Sequence, residues 1–250
     1  MLRPIFALLL SWALVCPAPA QFNSFPPGAF TGKAARDPAA GGGGGGPTIV
    51  QQIGVDVTVA STTYVATFSS GIAAGSVIVV VGHFNASAFP IVSVTDDKGD
   101  TSTDSGLGQP YDNNSICAFI EAFLAPTVGA KIVTVLFSGT ATGHIQIYEV
   151  AGLTGSFDKV PAFTLNITTT AIVSNASGTL TAANEFAVAY FSNYASMTGA
   201  GGGFTSDGTS AVGGTDSIWM HNIVSSTASL TASTTAAGIS DGMGLLATLK

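Results

Sequence analysis

Most of the chain consists of short runs of β-branched and aromatic residues, separated by turns rich in glycine, serine and asparagine. In the runs 132–137 and 186–191, successive residues would face opposite sides of a sheet, and both sides are mainly apolar. Such runs are typical of central strands, or of sheets whose outer face is covered by loops. No segment of ten or more residues keeps the apolar spacing of an amphipathic helix. The pattern predicts an all-β fold, an antiparallel β-sandwich of Ig-like or jelly-roll type.

Turn residues divide this pattern into a series of predicted strands, some of which we expect to merge. We predict that together they form a single large domain over residues 48–250. The predicted strands are residues 48–54, 55–61, 64–68, 76–84, 91–96, 115–124, 132–138, 144–150, 162–168, 177–181, 185–192, 217–225, 228–233 and 242–249.

The N-terminal segment differs from the rest of the chain and has the pattern of a secretory signal peptide. A positive start with Arg3 is followed by an apolar stretch and then by small residues before Gln21, the arrangement that signal peptidase cleaves. We therefore predict a signal peptide over residues 1–20 and a secreted protein, extracellular or at the cell surface. Residues 21–47 are rich in proline, alanine and glycine and are predicted to form a flexible linker.

The composition narrows the range of partners. The full chain has a net charge of −7, and loss of Arg3 with the signal peptide makes it −8. Nucleic acids and anionic membranes bind through basic patches, so the composition argues against both. No apolar stretch reaches the roughly 20 residues of a membrane span. Only 8% of residues are charged, which favours self-association of any sheet face left unpaired.

The number of cysteines excludes stabilisation by an intramolecular disulfide. Cys117 is the only cysteine outside the predicted signal peptide, so the mature chain has no partner for an intramolecular disulfide. We expect Cys117 to be a buried, inert thiol, with an intermolecular disulfide as the alternative. The core must then stabilise the fold without cross-links.

Several stretches of the chain have the pattern of a known type of module. The stretches are residues 73–81, 92–101, 134–139, 148–152, 180–185, 199–204 and 245–250. They resemble a β-sandwich module of secreted and surface proteins of bacteria, often called Ig-like and often without an assigned function. The resemblance implies the sandwich fold and implies no catalytic residue. The chain departs from the module at His83-Phe84, where a tryptophan is usual, and at Asp100, where an asparagine is usual.

An acidic turn is the first candidate site. Asp96, Asp97, Asp100 and Asp104 lie close together, and Gly99 permits a tight turn among them. Calcium prefers several oxygen ligands from one short loop, which makes these four carboxylates a candidate calcium site. The spacing is not that of an EF-hand, since no glutamate occupies the twelfth position. The alternative is a hairpin turn whose aspartates bond their own backbone.

The histidines are the second candidate. His83, His144 and His221 fall in or beside predicted strands. A metal centre would need the fold to bring them together, with Glu149 or Glu121 as a further ligand. A structural, hydrogen-bonded carboxylate is the alternative for Glu149. The chain has no G-x-S-x-G motif, so serine hydrolase chemistry lacks its sequence signature.

Aromatic residues are the third candidate. Sugar-binding sandwiches use a ring face to cover the apolar face of a pyranose, and loops at one end of a sandwich commonly carry recognition. For Trp219, a position in the core is the alternative. The candidate binding residues are Tyr111, Asp112 and Asn113 in one loop, Tyr194 and Phe204 beside another, and Trp219.

Together these features favour an extracellular, non-enzymatic binding or adhesion module that contacts a glycan or a surface protein through its loops. A self-assembling surface or matrix protein is one alternative, motivated by the low charge and by the serine- and threonine-rich strands. A secreted enzyme, metal-dependent or hydrolytic, that uses the histidines with Glu149 is the other. The one cofactor that the sequence suggests is calcium, at the acidic turn.

Overall fold

The structure is a computed structural model that describes residues 46–85, 90–106, 116–165, 169–238 and 242–250. The predicted signal peptide, residues 1–20, and most of the predicted linker, residues 21–47, lie outside the described residues. Within the described part of the chain, no helix is long and apolar enough to cross a membrane.

The described residues form strands and one short 3₁₀ turn, Val212–Gly214. The strands are β1 (Thr48–Thr67), β2 (Val77–Asn85), β3 (Ile91–Asp96), β4 (Thr103–Asp104), β5 (Ile116–Phe123), β6 (Ile132–Ala151), β7 (Phe157–Lys159), β8 (Thr164–Leu165), β9 (Ala171–Val173), β10 (Glu185–Asn193), β11 (Met197–Gly201), β12 (Thr205–Ser210), β13 (Asp216–Val224), β14 (Ser233–Ala236) and β15 (Gly242–Leu249).

The two longest strands, β1 and β6, organise the first sheet. The strand order is β1-β6-β2-β5-β4, with β3 also pairing with β6. β1 and β6 are antiparallel almost throughout, from Thr48 opposite Ala151 to Thr67 opposite Ile132, with a break in register after Val57. β6 pairs with β3 over its first half and with β2 over its second half. This pair of strands therefore runs through two parts of the same sheet.

The first sheet bends over itself and encloses the first apolar interior. Val135 and Phe137, from the first half of β6, belong to the same buried cluster as Ile145 and Ile147, from its second half. The ring centroids of Phe84 on β2 and Phe137 are 4.7 Å apart. Because these side chains share one face of the sheet, the sheet must bend to bring its two parts into contact.

A second and a third sheet stack on the first. The second sheet has the order β12-β13-β10-β15-β7, with β8 also pairing with β15. Val79 and Tyr148 of the first sheet share a second buried cluster with Tyr190 and Leu245 of the second sheet. The small third sheet, β11-β14-β9, covers the outer face of the second sheet, and a third cluster lies between them.

This stacking buries both faces of the central strands. Every residue of β10 and β15 is buried, as is every residue of β2 except the last. Apolar residues on both sides of a strand are what such a position requires, which explains the continuous apolar runs in the sequence. The prediction of an all-β fold built from antiparallel sheets is confirmed. Cys117 is buried in the first interior.

Predicted strands merge where the chain crosses from one part of the first sheet to the other. The single strand β1 contains the predicted strands 48–54, 55–61 and, except for its last residue, 64–68. In the same way, β6 contains the predicted strands 132–138 and 144–150. The register is regular where residues 54 and 55 meet, and it is irregular between Val57 and Thr63, but the strand ends at neither place.

The predicted strands 177–181 and 228–233 are wrong, apart from Ser233, where β14 begins. The two segments face each other, but serine side chains replace part of the backbone ladder between them. Ser177 Oγ accepts a hydrogen bond from the amide of Leu230, and Ser174 Oγ accepts one from Ala232. Side chains that bond nearby backbone in this way compete with regular strand pairing.

We expect Gly143→Ala to lower the free energy of unfolding by about 3 kcal/mol, measured by denaturant unfolding. A methyl group at Gly143 would lie 2.1 Å from the carbonyl oxygen of His83 and 2.9 Å from Phe84 Cα. Both are backbone atoms of a central strand, so they cannot yield without moving the sheet. The matched control is Gly238→Ala, whose methyl group would meet Ala195 Cβ at 3.4 Å. Equal stability of the two variants would contradict the close approach of β2 and β6.

Candidate functional site

Along the second half of β6, the side chains that face the second sheet change from apolar to polar. Val150 and Tyr148 belong to the apolar cluster between the two sheets. Gln146 and His144 follow on the same face and are buried polar residues. His83 lies opposite His144 on β2 and is also fully buried. The interior between the first two sheets therefore ends in a polar layer.

This polar layer borders a cleft of about 400 Å³. The cleft lies between β1 and β12, which are edge strands of the first and second sheets, and β6 and β13 supply its other side chains. Because an edge strand leaves backbone groups without ladder partners, such a cleft offers polar groups from backbone as well as side chains. The lining residues are Gln52, Ile53, Gly54, Asp56, His144, Gln146, Asp207, Thr209 and Trp219.

Asp56 connects the edges of the two sheets. Its Oδ1 atom accepts a hydrogen bond from Ser210 Oγ on β12 at 2.6 Å and one from His144 Nδ1 on β6 at 2.7 Å. The Asp56 side chain is 48% exposed, whereas that of His144 is 4% exposed. Two buried partners therefore hold an accessible carboxylate in place, and Asp56 Oδ2 takes part in neither contact.

His144 and Trp219 stack on each other in the cleft lining. Their ring centroids are 3.7 Å apart, and the ring planes differ by 14°. Glycines on the two edge strands make room for these rings. A Cβ atom on Gly54 would lie 2.9 Å from His144 Cε1, and one on Gly208 would lie 2.8 Å from Trp219 Cζ2. Glycine at both positions thus lets the edge strands approach the stacked rings.

Asp207 forms a second carboxylate–histidine pair, on the β12 side of the cleft. Its carboxylate accepts hydrogen bonds from His221 Nδ1 at 2.7 Å and from the Tyr148 hydroxyl at 2.8 Å. Burial, together with the nearby Asp207 charge, raises the pKa of Tyr148 well above its ordinary value, so the hydroxyl keeps its proton and donates. Since Tyr148 lies on the first sheet, Asp207 also links the two sheets.

Burial and hydrogen bonding set the charge of the cleft. Burial raises the pKa of Asp56, but the hydrogen bonds from Ser210 and His144 outweigh it and hold this pKa below its ordinary value. Burial lowers the pKa of His144 despite the opposing effect of Asp56. Burial, with a smaller contribution from His144, lowers the pKa of His83 to about 3. At neutral pH, Asp56 is therefore ionised and both histidines are neutral.

Two polar atoms of the cleft lining have unused hydrogen-bonding capacity. Within the described part of the chain, neither His144 Nε2 nor Trp219 Nε1 has a hydrogen-bond partner, although both side chains are buried. Buried polar groups are normally paired. With Nδ1 protonated, His144 Nε2 is an acceptor, whereas Trp219 Nε1 is a donor.

The residues around Asp56 do not form a Ser-His-Asp triad. In a triad, the histidine lies between the serine and the carboxylate. Here the hydroxyl of Ser210 bonds Asp56 directly, and so does His144 through Nδ1. The arrangement fixes a carboxylate rather than activating a nucleophile.

The convergence of the three histidines with Glu149 that a metal centre would need is not observed. The rings of His83 and His144 are 6.5 Å apart between centroids, but His221 belongs to the Asp207 pair. Glu149 instead accepts hydrogen bonds from Gln51 Nε2 and from the backbone amide of residue 73. Among the described residues, no group of three or more His, Cys, Asp or Glu side chains is placed to hold a metal ion.

The four aspartates of the predicted calcium site bond backbone amides, as in the hairpin-turn alternative. Asp96 accepts the amides of residues 98 and 100, Asp97 those of residues 131 and 132, Asp100 that of residue 127, and Asp104 that of residue 106. Each of the four carboxylates therefore has at least one backbone partner, and calcium binding at the turn stays a prediction.

The predicted binding aromatics that the structure describes have different surroundings. Tyr111, Asp112 and Asn113 lie outside the described residues. Tyr194 is 38% exposed, whereas Phe204 is buried in the cluster between the second and third sheets, which does not support a role in binding. Trp219 lines the cleft, but it is buried and His144 covers one face of its ring, so it is no open platform for a sugar.

Among the residues that shape the cleft, His144 and Trp219 were candidates from the sequence, whereas Asp56, Asp207 and Ser210 were not. A lone acidic residue inside a strand-like run was the available signal for Asp56. Asp207 and Ser210 lie in β12, for which no strand was predicted, so the sequence contained no comparable signal for them. Comparison with known protein families, curated proteins and solved structures finds no match to this chain. The interpretation of the cleft therefore rests on its geometry.

We expect stability to fall between about pH 5 and pH 8 through Glu121, which lies on β5 beside the acidic turn. Burial raises the pKa of Glu121 to about 7, although Ser102 Oγ donates a hydrogen bond to it. An unfolded glutamate titrates near a pKa of about 4.3, so the folded state binds the proton more tightly and loses stability as pH rises to 7. Thermal unfolding of Glu121→Gln should lose most of this pH dependence and show about 2 kcal/mol more stability at pH 8. Parallel pH profiles for the two proteins would contradict the buried position of this carboxyl group.

Proposed function

We propose that this chain is an extracellular, non-enzymatic binding module that holds a glycan in the cleft between β1 and β12. The observation that carries the proposal is the polar cleft itself, in which buried partners fix Asp56 where the two sheets meet. Its volume of about 400 Å³ falls within the range of ligand pockets, about 300–1,000 Å³. The predicted signal peptide supports an extracellular ligand.

The lining of the cleft suits a polyhydroxylated ligand. Sugar hydroxyl groups both donate and accept hydrogen bonds. The carboxylate of Asp56 accepts them, whereas the amides of Gln52 and Gln146 and the hydroxyl of Thr209 do both. Since Trp219 offers no open ring face, these polar groups rather than stacking would carry recognition.

The same groups support binding rather than glycoside hydrolysis. Hydrolysis by a carboxylate pair needs one protonated carboxyl group as general acid. The pKa of Asp56 lies below its ordinary value, because the hydrogen bonds from Ser210 and His144 outweigh the effect of burial, so Asp56 is ionised. Asp207 already accepts hydrogen bonds from two side chains. Neither carboxyl group is arranged as a proton donor.

Blocking the cleft should abolish glycan binding without unfolding the protein. Thr209 is exposed on edge strand β12 and lines the cleft, so the larger side chain of Thr209→Trp would fill it. Thr67→Trp is the matched control, because Thr67 is an exposed strand residue that does not line the cleft. Oligosaccharide panels and calorimetry should show binding by the wild type and the control, and at least a tenfold loss for Thr209→Trp. Undiminished binding by a folded Thr209→Trp would place the ligand elsewhere, and hydrolysis of a bound oligosaccharide would refute the non-enzymatic assignment.

Self-assembly is a second candidate function, favoured by an uncharged face on the first sheet. Val65, Val92 and Leu136 lie on the adjacent strands β1, β3 and β6, and all three are exposed, Val92 by 58%. The strand segments around them contain no charged side chain over residues 63–67, 91–95 and 132–138. An exposed, uncharged sheet face is a common site of association.

Charge on this face should prevent association. Sedimentation of the wild type at increasing concentration should show oligomers, and the double variant Val92→Lys, Leu136→Lys should remain a monomer because like charges repel. Val173→Lys is the control, since Val173 is exposed on the third sheet and its change should leave association intact. A wild type that stays monomeric at the highest concentration would exclude this function.

A further inference from the structure

We infer that the ligand of the cleft is cationic, a glycan that carries free amino groups, and that one of its ammonium groups pairs with Asp56. This inference rests on the proposed function and names its ligand class. It is carried by the charge of the lining, the position of the Asp56 carboxylate and the polar side chains beside it.

The lining carries negative charge and no permanent positive charge. Asp56 and Asp207 are its two acidic residues, and none of the nine lining residues is lysine or arginine. His144 does not cancel the charge of Asp56 at neutral pH, because burial lowers its pKa. The Asp207 side chain is 2% exposed and that of Asp56 is 48% exposed, so Asp56 is the carboxylate that a ligand can reach. The whole chain has a net charge of −7, which also attracts a cationic ligand.

Asp56 is positioned to contact a ligand. Ser210 and His144 both bond the Oδ1 atom, and the side chain remains 48% exposed at the cleft. Because both partners are buried, the carboxylate is held in one orientation before any ligand arrives. A carboxylate fixed in this way loses little conformational freedom on binding.

The polar side chains beside Asp56 fit the rest of an amino sugar. Such a sugar presents an ammonium group for the carboxylate of Asp56. Its hydroxyl groups can both donate to and accept from the amides of Gln52 and Gln146 and the hydroxyl of Thr209, which line the same cleft.

The test compares three wild-type titrations by calorimetry at about pH 6, where a sugar amine is protonated. The probes are chitosan tetramer, its fully N-acetylated counterpart chitotetraose, and cellotetraose. We expect chitosan tetramer to bind about tenfold more tightly than the other two in low salt, with the difference shrinking as ionic strength rises. Equal affinity for all three would overturn the inference and leave the proposed function intact, whereas no binding of any oligosaccharide would overturn both.

Variants then locate the charge that makes the difference. Asp56→Asn should reduce the preference for the amino sugar to about twofold, with binding of the neutral sugars kept. Asp104→Asn, which changes an exposed carboxylate outside the cleft, should leave the preference unchanged. A preference that survives in Asp56→Asn would refute the role of Asp56. Tighter binding of a tetralysine peptide than of chitosan tetramer would refute the assignment to a glycan. The wild-type titrations decide the ligand class even if Asp56→Asn does not fold.

Discussion

The pairing of β1 with β6 is the interaction on which the rest of the structure depends. The two strands pair along both parts of the first sheet, so their pairing helps to enclose the first interior. It also places β1 at the edge of the sheet that faces the second sheet. The same register places Asp56 directly opposite His144. A shift of one residue would turn Asp56 to the other face of the sheet and separate it from both its partners. Fold and cleft therefore share one set of backbone hydrogen bonds.

Stacked sheets that are buried on both faces leave few positions for polar side chains. The three apolar interiors occupy the faces of β2, β10 and β15. At the end of the stack that borders the cleft, polar residues replace apolar ones, with Gln146 and His144 on one side and Asp207 on the other. Their hydrogen bonds cross from sheet to sheet, so the groups that shape the cleft also hold the two sheets together at this end.

The sequence allowed the central strands to be predicted, because they must be apolar on both sides and their composition shows it. It did not reveal the third sheet, since β11 contains threonine, glycine and alanine without an apolar period. At the site, the residue types of His144 and Trp219 were enough to predict them as candidates. Their partners could not be found, because Asp56 is about 90 residues from His144 along the chain, and only the register of β1 on β6 brings them together.

The distance along the chain between β1 and β6 also bears on how the protein folds. Thr48 pairs with Ala151, so about 100 residues must be synthesised after β1 begins before its ladder can close. Closing so long a loop carries an entropic cost before any contact compensates for it, and folds dominated by such pairings form slowly. Until β6 has been synthesised, β1 is therefore a strand without its main partner. Its threonine and serine side chains offer polar groups to water in that interval.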